Sequence, residues 1–187
     1  MEPSLGIYFD ALYQIVLRLS SSLDLEQVLA YVTEETSKAM TVKAASVRLL
    51  DQSGELLEMQ AVFGLSPEYL NKGPVEVARS EVDRELLGGA VTQIADVTKD
   101  GGFQYPEEAA REGIVSIASV PLQVHGAAIG VLRVYSGERR TFTEAEMRFL
   151  VAVADVAALS IENARLYDEL RQRFETTMNV LWGDHPV

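Results

Sequence analysis

Ile114-Val115-Ser116-Ile117-Ala118-Ser119-Val120-Pro121-Leu122-Gln123-Val124-His125-Gly126-Ala127-Ala128-Ile129-Gly130-Val131-Leu132-Arg133-Val134-Tyr135 holds two apolar runs hinged on His125-Gly126. Ile114 to Val124 reads as one strong strand, and the chain returns through Ala127 to Tyr135 as a second. Just downstream, Thr143 stands as an N-cap with Glu146 three residues later and Phe142 facing Met147. That is a complete capping box with a hydrophobic staple, the start of a helix. From Glu144 no glycine or proline occurs until Gly183. A helix of that length would run roughly 57 Å, longer than the domain it leaves. Its first half is apolar over much of its surface (Leu150, Val153, Ala154, Ala157, Ile161) and is expected to pack on the sheet; its second half must project.

Upstream, Tyr8, Leu12, Ile15 and Leu19 form an apolar stripe on a helix over about residues 4–20, with Leu5 before it, and Ser20-Ser21-Ser22 breaks it. A second helix starts at the N-cap Asp24, with Gln27 three residues on and Leu23 and Val28 placed as a staple. Its core face is Val28, Leu29, Val32, Thr36 and Ala39. The period then changes to two: Ala45 to Leu50 reads as a strand, Asp51 to Gly54 as its turn, and Leu56 to Phe63 as the returning strand. The middle is broken up. Short helices are expected from Pro67 to about Leu70, from Ser80 to Leu87, and from Pro106 to a C-cap at Gly113, with a short strand at Val91 to Ala95. Asp96 to Gln104 is a polar loop whose Asp96, Asp100 and Gly101-Gly102 fit no spaced calcium pattern.

The chain has 187 residues, 48% of them hydrophobic, and carries 28 acidic against 16 basic side chains, a formal charge of −12. This suits one soluble domain with an extension and argues against nucleic acid or an anionic membrane as partner. No apolar run approaches the ~20 residues of a bilayer span, and Met1-Glu2-Pro3-Ser4 lacks the basic start of a secretory signal, so a cytoplasmic location is expected. With no cysteine and two histidines, thiolate chemistry, iron–sulfur clusters and Cys-rich zinc sites are excluded. No metal and no cofactor is expected. Ser116 and Ser119 have no histidine placed to serve them as a base, so they read as small packing residues.

The run Ile114 to Leu122, then Gly126, then Ile129-Gly130-Val131-Leu132, is similar to the late-strand signature of the GAF domain. Thr141-Phe142-Thr143-Glu144, Ser22-Leu23-Asp24-Leu25-Glu26 and Ala44 to Asp51 resemble the same family, and the likeness covers roughly residues 8–170. It implies an α/β (α+β) fold: an antiparallel sheet with the N- and C-terminal helices on one face and a ligand pocket under short helices on the other. It divides the chain into an N-terminal dimerisation helix (1–22), the domain (23–170) and a helical extension and tail (171–187). It also implies small-molecule binding, dimerisation and signalling through the terminal helices. Bilin-bearing and methionine-sulfoxide-reducing members use cysteines that this chain lacks. The Asn-Lys-Phe-Asp-Glu motif of cyclic-nucleotide binders is not found; Asn71-Lys72-Gly73 matches two letters of it, which is chance level. His125, in the hairpin turn, is expected to face solvent rather than a haem.

If the first and last strands lie side by side at the centre of the sheet, as the family implies, parity assigns faces. Val47, Leu49, Leu132 and Val134 would face the helices; Ser46, Arg48, Arg133 and Tyr135 would face the pocket. Two buried arginines on one face call for an anion, a carboxylate or phosphate, with Ser116, Tyr105 and the helix starts at Ser80 and Pro106 completing the site. The competing structural reading pairs the arginines with Glu58, Asp83 or Glu85. Asn163, Tyr167, Leu170, Phe174, Thr177 and Leu181 form a heptad seam. Together with Leu5, Tyr8, Leu12, Ile15 and Leu19 it is expected to join two copies as a four-helix bundle. Trp182 reads as an end-of-helix contact with a partner. The sequence thus predicts a non-enzymatic sensory homodimer that binds a small anion and acts on a downstream signalling domain or protein. The alternative is a ligand-free dimerisation module whose pocket is filled by Phe63, Tyr69, Leu86, Phe103 and Tyr105. A reductase-like enzyme is disfavoured by the lack of cysteine.

Overall fold

The structure, a computed structural model, describes residues 5–21 and 24–182. Leu23, His185 and the side chains of Leu5, Leu181 and Trp182 lie outside the described residues, so the readings that involve them are not addressed. Helix α1 (Leu5–Ser21) and helix α2 (Leu25–Ala39) come first. Asp24 caps α2, its carboxylate accepting the Gln27 N–H at 3.1 Å and the Gln27 side-chain amide at 2.6 Å. Strands β1 (Ala44–Leu50) and β2 (Leu56–Phe63) follow, then α3 (Pro67–Leu70), β3 (Val75–Glu76), a 3-10 turn at Val77–Arg79, α4 (Glu81–Leu87), β4 (Thr92–Ile94) and α5 (Pro106–Glu112). Strands β5 (Ser116–Val124) and β6 (Ala127–Ser136) lead into α6 (Glu144–Trp182). The α6 capping box forms as expected: Glu146 N–H donates to the Thr143 hydroxyl at 3.3 Å, and the Glu146 carboxylate accepts the Thr143 N–H at 2.7 Å. The β3 strand and the turn after it were not foreseen, because two extended residues carry no period to detect.

The six strands form one antiparallel sheet in the order β3-β2-β1-β6-β5-β4. On one face Val47, Leu49, Val120, Leu122, Leu132 and Val134 meet α1, α2 and the first half of α6, which contributes Phe149, Leu150, Val153, Ala157 and Ile161. On the other, Leu57, Ile117, Val131 and Tyr135 pack beneath Tyr69, Val75, Val82, Leu86 and Phe103 from the short elements. Every residue on the expected core face of α2 is buried. The β1–β2 register shifts between Val47 and Arg48: Val47 faces Ala61 and Arg48 faces Met59, leaving Gln60 as the extra residue. The bulge therefore sits on β2. β1 pairs with β6 without a shift, so its alternation survives and the faces are those that parity assigned.

The stripe on α1 lies differently from expectation. Ile15 is 0% exposed inside this chain, and the Tyr8 ring stacks on Phe149 with centroids 4.9 Å apart. Leu12 and Leu19 pack half-buried against the same core. These four fill the groove between α2 and α6 and leave little surface for a second copy. The sequence misassigned them because a helical stripe looks alike whether it covers its own sheet or a partner. Exposed on α1 are Phe9 (69%), Tyr13, Val16 and Leu17. The far half of α6 does project, with Leu166, Tyr167, Leu170 (66%) and Phe174 in solvent.

Gly130 of β6 lies opposite Leu49 of β1. A Cβ there would lie 2.2 Å from the Arg48 carbonyl oxygen and 2.8 Å from Leu49 Cδ2. Gly130→Ala must push the two central strands apart and is expected to destabilise the fold by about 1–3 kcal/mol. Urea denaturation checks this: the midpoint should fall while the m-value is kept.

Candidate ligand site on the sheet

Alternation puts Arg48 of β1 and Arg133 and Tyr135 of β6 on the face away from the long helices. There α4 and the loops that flank it cover them. The side chains of Arg48, Tyr69, Lys72, Val75, Asp83, Phe103, Gln104, Tyr105, Arg133 and Tyr135 enclose a cavity of about 10 Å³. That is about the room of one water molecule. As it stands, the site is closed.

Arg133 is paired within the chain. Its Nη2 donates to Asp83 Oδ1 at 2.7 Å, its Nε donates to the Ser119 hydroxyl at 2.7 Å, and the guanidinium lies 5.8 Å from the Phe103 ring centre. The other Asp83 oxygen accepts the Ser80 hydroxyl at 2.6 Å. Ser80 also caps α4 by accepting the Asp83 N–H, so one N-cap both starts the helix and aims the carboxylate. Arg48 is 5% exposed and, among the described residues, donates only through Nη1, to the Leu57 carbonyl at 3.3 Å. Its Nε is buried with no partner, and so is the side-chain nitrogen of Gln104. Ser46 and Tyr135 share a hydrogen bond of 2.9 Å. Tyr105 donates to the Pro74 carbonyl at 2.8 Å, and the Lys72 ammonium lies 4.3 Å from the Tyr69 ring centre and 4.9 Å from that of Tyr105.

The structure thus brings together Arg48, Arg133, Tyr135, Ser46 and Tyr105. Ser116 is a correction: it shares the parity of Ala118 and Val120, and its hydroxyl donates to the Glu138 carbonyl at 2.8 Å, away from the cavity. The hydroxyl that β5 does bring is that of Ser119, which sits opposite Arg133 in the β5–β6 register. For Arg133, the structural alternative holds as well, with Asp83 as its partner. For Arg48 it does not: among the described residues no carboxylate pairs with it. Phe63, one of the residues expected to fill the pocket, is exposed instead, while Tyr69, Leu86 and Phe103 are buried.

A family model of the GAF domain matches residues 22–162. The chain belongs to the GAF domain family. This GAF chain is 25% identical over 179 residues to a Nif-specific regulatory protein of Herbaspirillum seropedicae, covering 93% of the chain and 33% of that protein. It is 26% identical over 177 residues to an uncharacterised sensor-like histidine kinase of Chloroflexus aurantiacus, covering 90% and 27%. It therefore spans about a third or less of the length of these curated relatives. The GAF domain from a phosphoenolpyruvate-protein phosphotransferase of Coxiella burnetii superposes with a TM-score of 0.80 at 21% identity, covering 89% of this chain and 99% of that one. The helix-covered antiparallel sheet described above is thus the GAF fold. No helix among the described residues is long and apolar enough to cross a membrane.

Electrostatics sharpen the picture of the GAF pocket. Burial, the largest influence, works against the Arg133 charge, but Asp83 together with Tyr135 and Tyr69 outweighs it, so the guanidinium stays protonated. Burial pushes the Tyr69 phenol up, with Tyr135 beside it adding to the effect, so it does not ionise. Lys72 is held down to about 7, first by burial and then by the like charges of Arg48 and Arg133, against the opposing pull of Asp83 and Glu108. At the pocket's edge, burial alone would raise Glu112. Hydrogen bonds from Ser66, in both hydroxyl and backbone amide, and the Lys43 ammonium at 3.3 Å hold it below the usual range instead. Sequence reading missed Lys72 and Gln104 as site residues, since each lies in a loop with no periodicity to orient it. Ser80, in contrast, was expected as a helix start beside the site, and Asp83 as one of three possible partners of the arginines.

An unfolded lysine keeps its proton to about pH 10. Folded Lys72 releases it near 7. Between those limits the unfolded chain binds more protons, so stability rises with pH. Lys72→Met lacks this contribution. The wild type is therefore expected to gain stability relative to the variant between pH 7 and about 10, with a constant gap below pH 6. Urea titrations across pH 6–10 check it; a gap that stays constant with pH would mean that the ammonium is not desolvated.

Proposed function

We propose that this chain is a cytoplasmic sensory and regulatory domain, not an enzyme, that binds a small anionic metabolite non-covalently between Arg48 and Arg133. The observation that carries the reading is Arg48: a guanidinium 5% exposed on a central strand, its Nε without a partner and no carboxylate in an ion pair with it among the described residues. An unpaired buried charge is costly, and an anion accepting its hydrogen bonds would remove that cost. Because the free volume is about 10 Å³, α4 and the loop residues over the cavity, Lys72 and Phe103 to Tyr105, must lift to admit a ligand and then reclose over it. The regulatory and sensor relatives support the role.

Signal relay through a homodimer is the second half of the proposal. Gln93 of the edge strand β4, which follows α4 in the chain, accepts the Phe142 N–H at 2.9 Å, immediately before α6. Movement of the cover is thus tied to the base of the long helix, a two-state change biased by differential affinity. Leu166, Leu170 and Phe174 would meet their counterparts on a second copy, with Tyr167 alongside. Phe9 and Tyr13 of α1 could widen the contact.

A panel of small carboxylates and oxoanions, screened by thermal denaturation, tests the site. At about a hundredfold the Kd a ligand adds about 2.7 kcal/mol, roughly 5 °C or more in a domain of this size. Arg48→Gln is expected to abolish the shift. One specific observation favours the alternative of a ligand-free dimerisation module: Tyr69, Phe103 and Tyr105 already line a nearly full cavity. A wild type stabilised by no anion would establish that alternative. For the relay, light scattering is expected to give a dimer mass at micromolar concentration and a monomer for Leu170→Glu/Phe174→Glu. A monomeric wild type removes the helical seam from the account.

A further inference from the structure

Two of the side-chain donors around the cavity have no acceptor among the described residues. Both oxygens of Asp83 are engaged, by Arg133 and by Ser80. The Arg48 Nε and the Gln104 side-chain nitrogen are buried and unpartnered, and the Gln104 oxygen is taken by the Glu76 N–H at 3.0 Å. The Lys72 ammonium makes no ion pair among the described residues. It is held over the faces of Tyr69 and Tyr105, which attract a cation but supply no counter-charge. Two guanidinium groups and one ammonium thus line a space that holds a single carboxylate, an excess of two positive charges when Lys72 is protonated. The other charged group near Lys72, Glu108 of α5, is within 3.3 Å of Arg111.

We infer that the ligand of this site is a small dianion, one of whose charges is met by Arg48 and Arg133 on the sheet and the other by Lys72 on the covering segment. The inference rests on the anion-binding reading above and adds to it the ligand's charge and the residue that measures it. A monoanion is neutralised by the sheet alone and leaves Lys72 without a counter-ion. A dianion bridges the sheet to the turn between α3 and β3, and so ties down the segment that closes the pocket. Like-charge repulsion from Arg48 and Arg133, which with burial holds Lys72 down to about 7, would be relieved by that second charge. Two chemistries present it in a compact form, a tetrahedral oxoanion and a short dicarboxylate.

Isothermal titration calorimetry at pH 7 and constant ionic strength, with sulfate, malonate and acetate as probes, tests this on the wild type, Lys72→Met, Lys72→Arg and Arg48→Gln. The wild type is expected to bind sulfate or malonate about tenfold or more tighter than acetate, a difference of ~1.4 kcal/mol. Which of the two dianions binds better identifies the chemistry of the source. Lys72→Met should erase the margin while leaving acetate within about twofold, Lys72→Arg should keep it, and Arg48→Gln should weaken all three. Acetate bound by the wild type as tightly as both dianions, or equal losses for all probes in Lys72→Met, overturns the dianion assignment and leaves the anion site standing. Failure of the wild type to bind any of the three overturns the anion site itself.

Discussion

Arg133 lies on a central strand with its guanidinium out of water, and that charge needs a partner from across the sheet. Asp83 supplies it at 2.7 Å. A buried pair of this kind contributes little net stability over an apolar pair of the same shape, but removing either member leaves a stranded charge at a cost of about 3–5 kcal/mol. Much of the pocket side follows from it. The carboxylate must come from a helix, so α4 sits directly over β6. Ser80 must cap that helix and hold the second oxygen. Ser119 on the neighbouring strand accepts the guanidinium Nε–H. The other face of the sheet is ordinary by comparison: aliphatic strands under aliphatic helices, held by area rather than by charge.

Arg48 has the same depth as Arg133 and none of its partners. The two arginines on adjacent strands differ in this respect: one is balanced by a carboxylate within the chain and the other has no ion pair among the described residues. The aromatic groups around them, Tyr69, Phe103, Tyr105 and Tyr135, shield the charges from water without neutralising them. The closed geometry therefore stores an imbalance that a second molecule can relieve. Glu112 fixes one margin of this cover, joining Ser66 at the start of α3 to Lys43 before β1.

Most of the fold was legible because its elements announce their ends. Asp24, Ser66, Ser80 and Thr143 cap helices in the structure as their side chains suggested, and Gly113 closes α5 in the left-handed region at φ 74°. Period-two patterns fixed the four long strands, and parity fixed the faces of Arg48 and Arg133, because the one nearby bulge places its extra residue on β2. What escaped were features that depend on tertiary placement. Ser116 and Ser119 differ by three positions, so they lie on opposite faces of β5, and only the register with β6 shows which one meets Arg133. Lys72 and Gln104 sit in irregular chain. The α1 stripe is a different kind of miss: apolar spacing reveals that a face is buried, not whose surface buries it.

The unbroken course of α6 carries a geometric consequence of its own. From Phe149 under the sheet to Phe174 in solvent there is one helix with no glycine or proline to absorb a change of phase. Each residue added or removed between them turns the distal segment by about 100° relative to the sheet. An insertion of seven would return Leu170 and Phe174 almost to their original azimuth, whereas one of two or five would present a charged flank in their place. The spacing between pocket and projecting segment is thus counted in heptads, and the angular position of that far end is set by how many residues α6 contains before it.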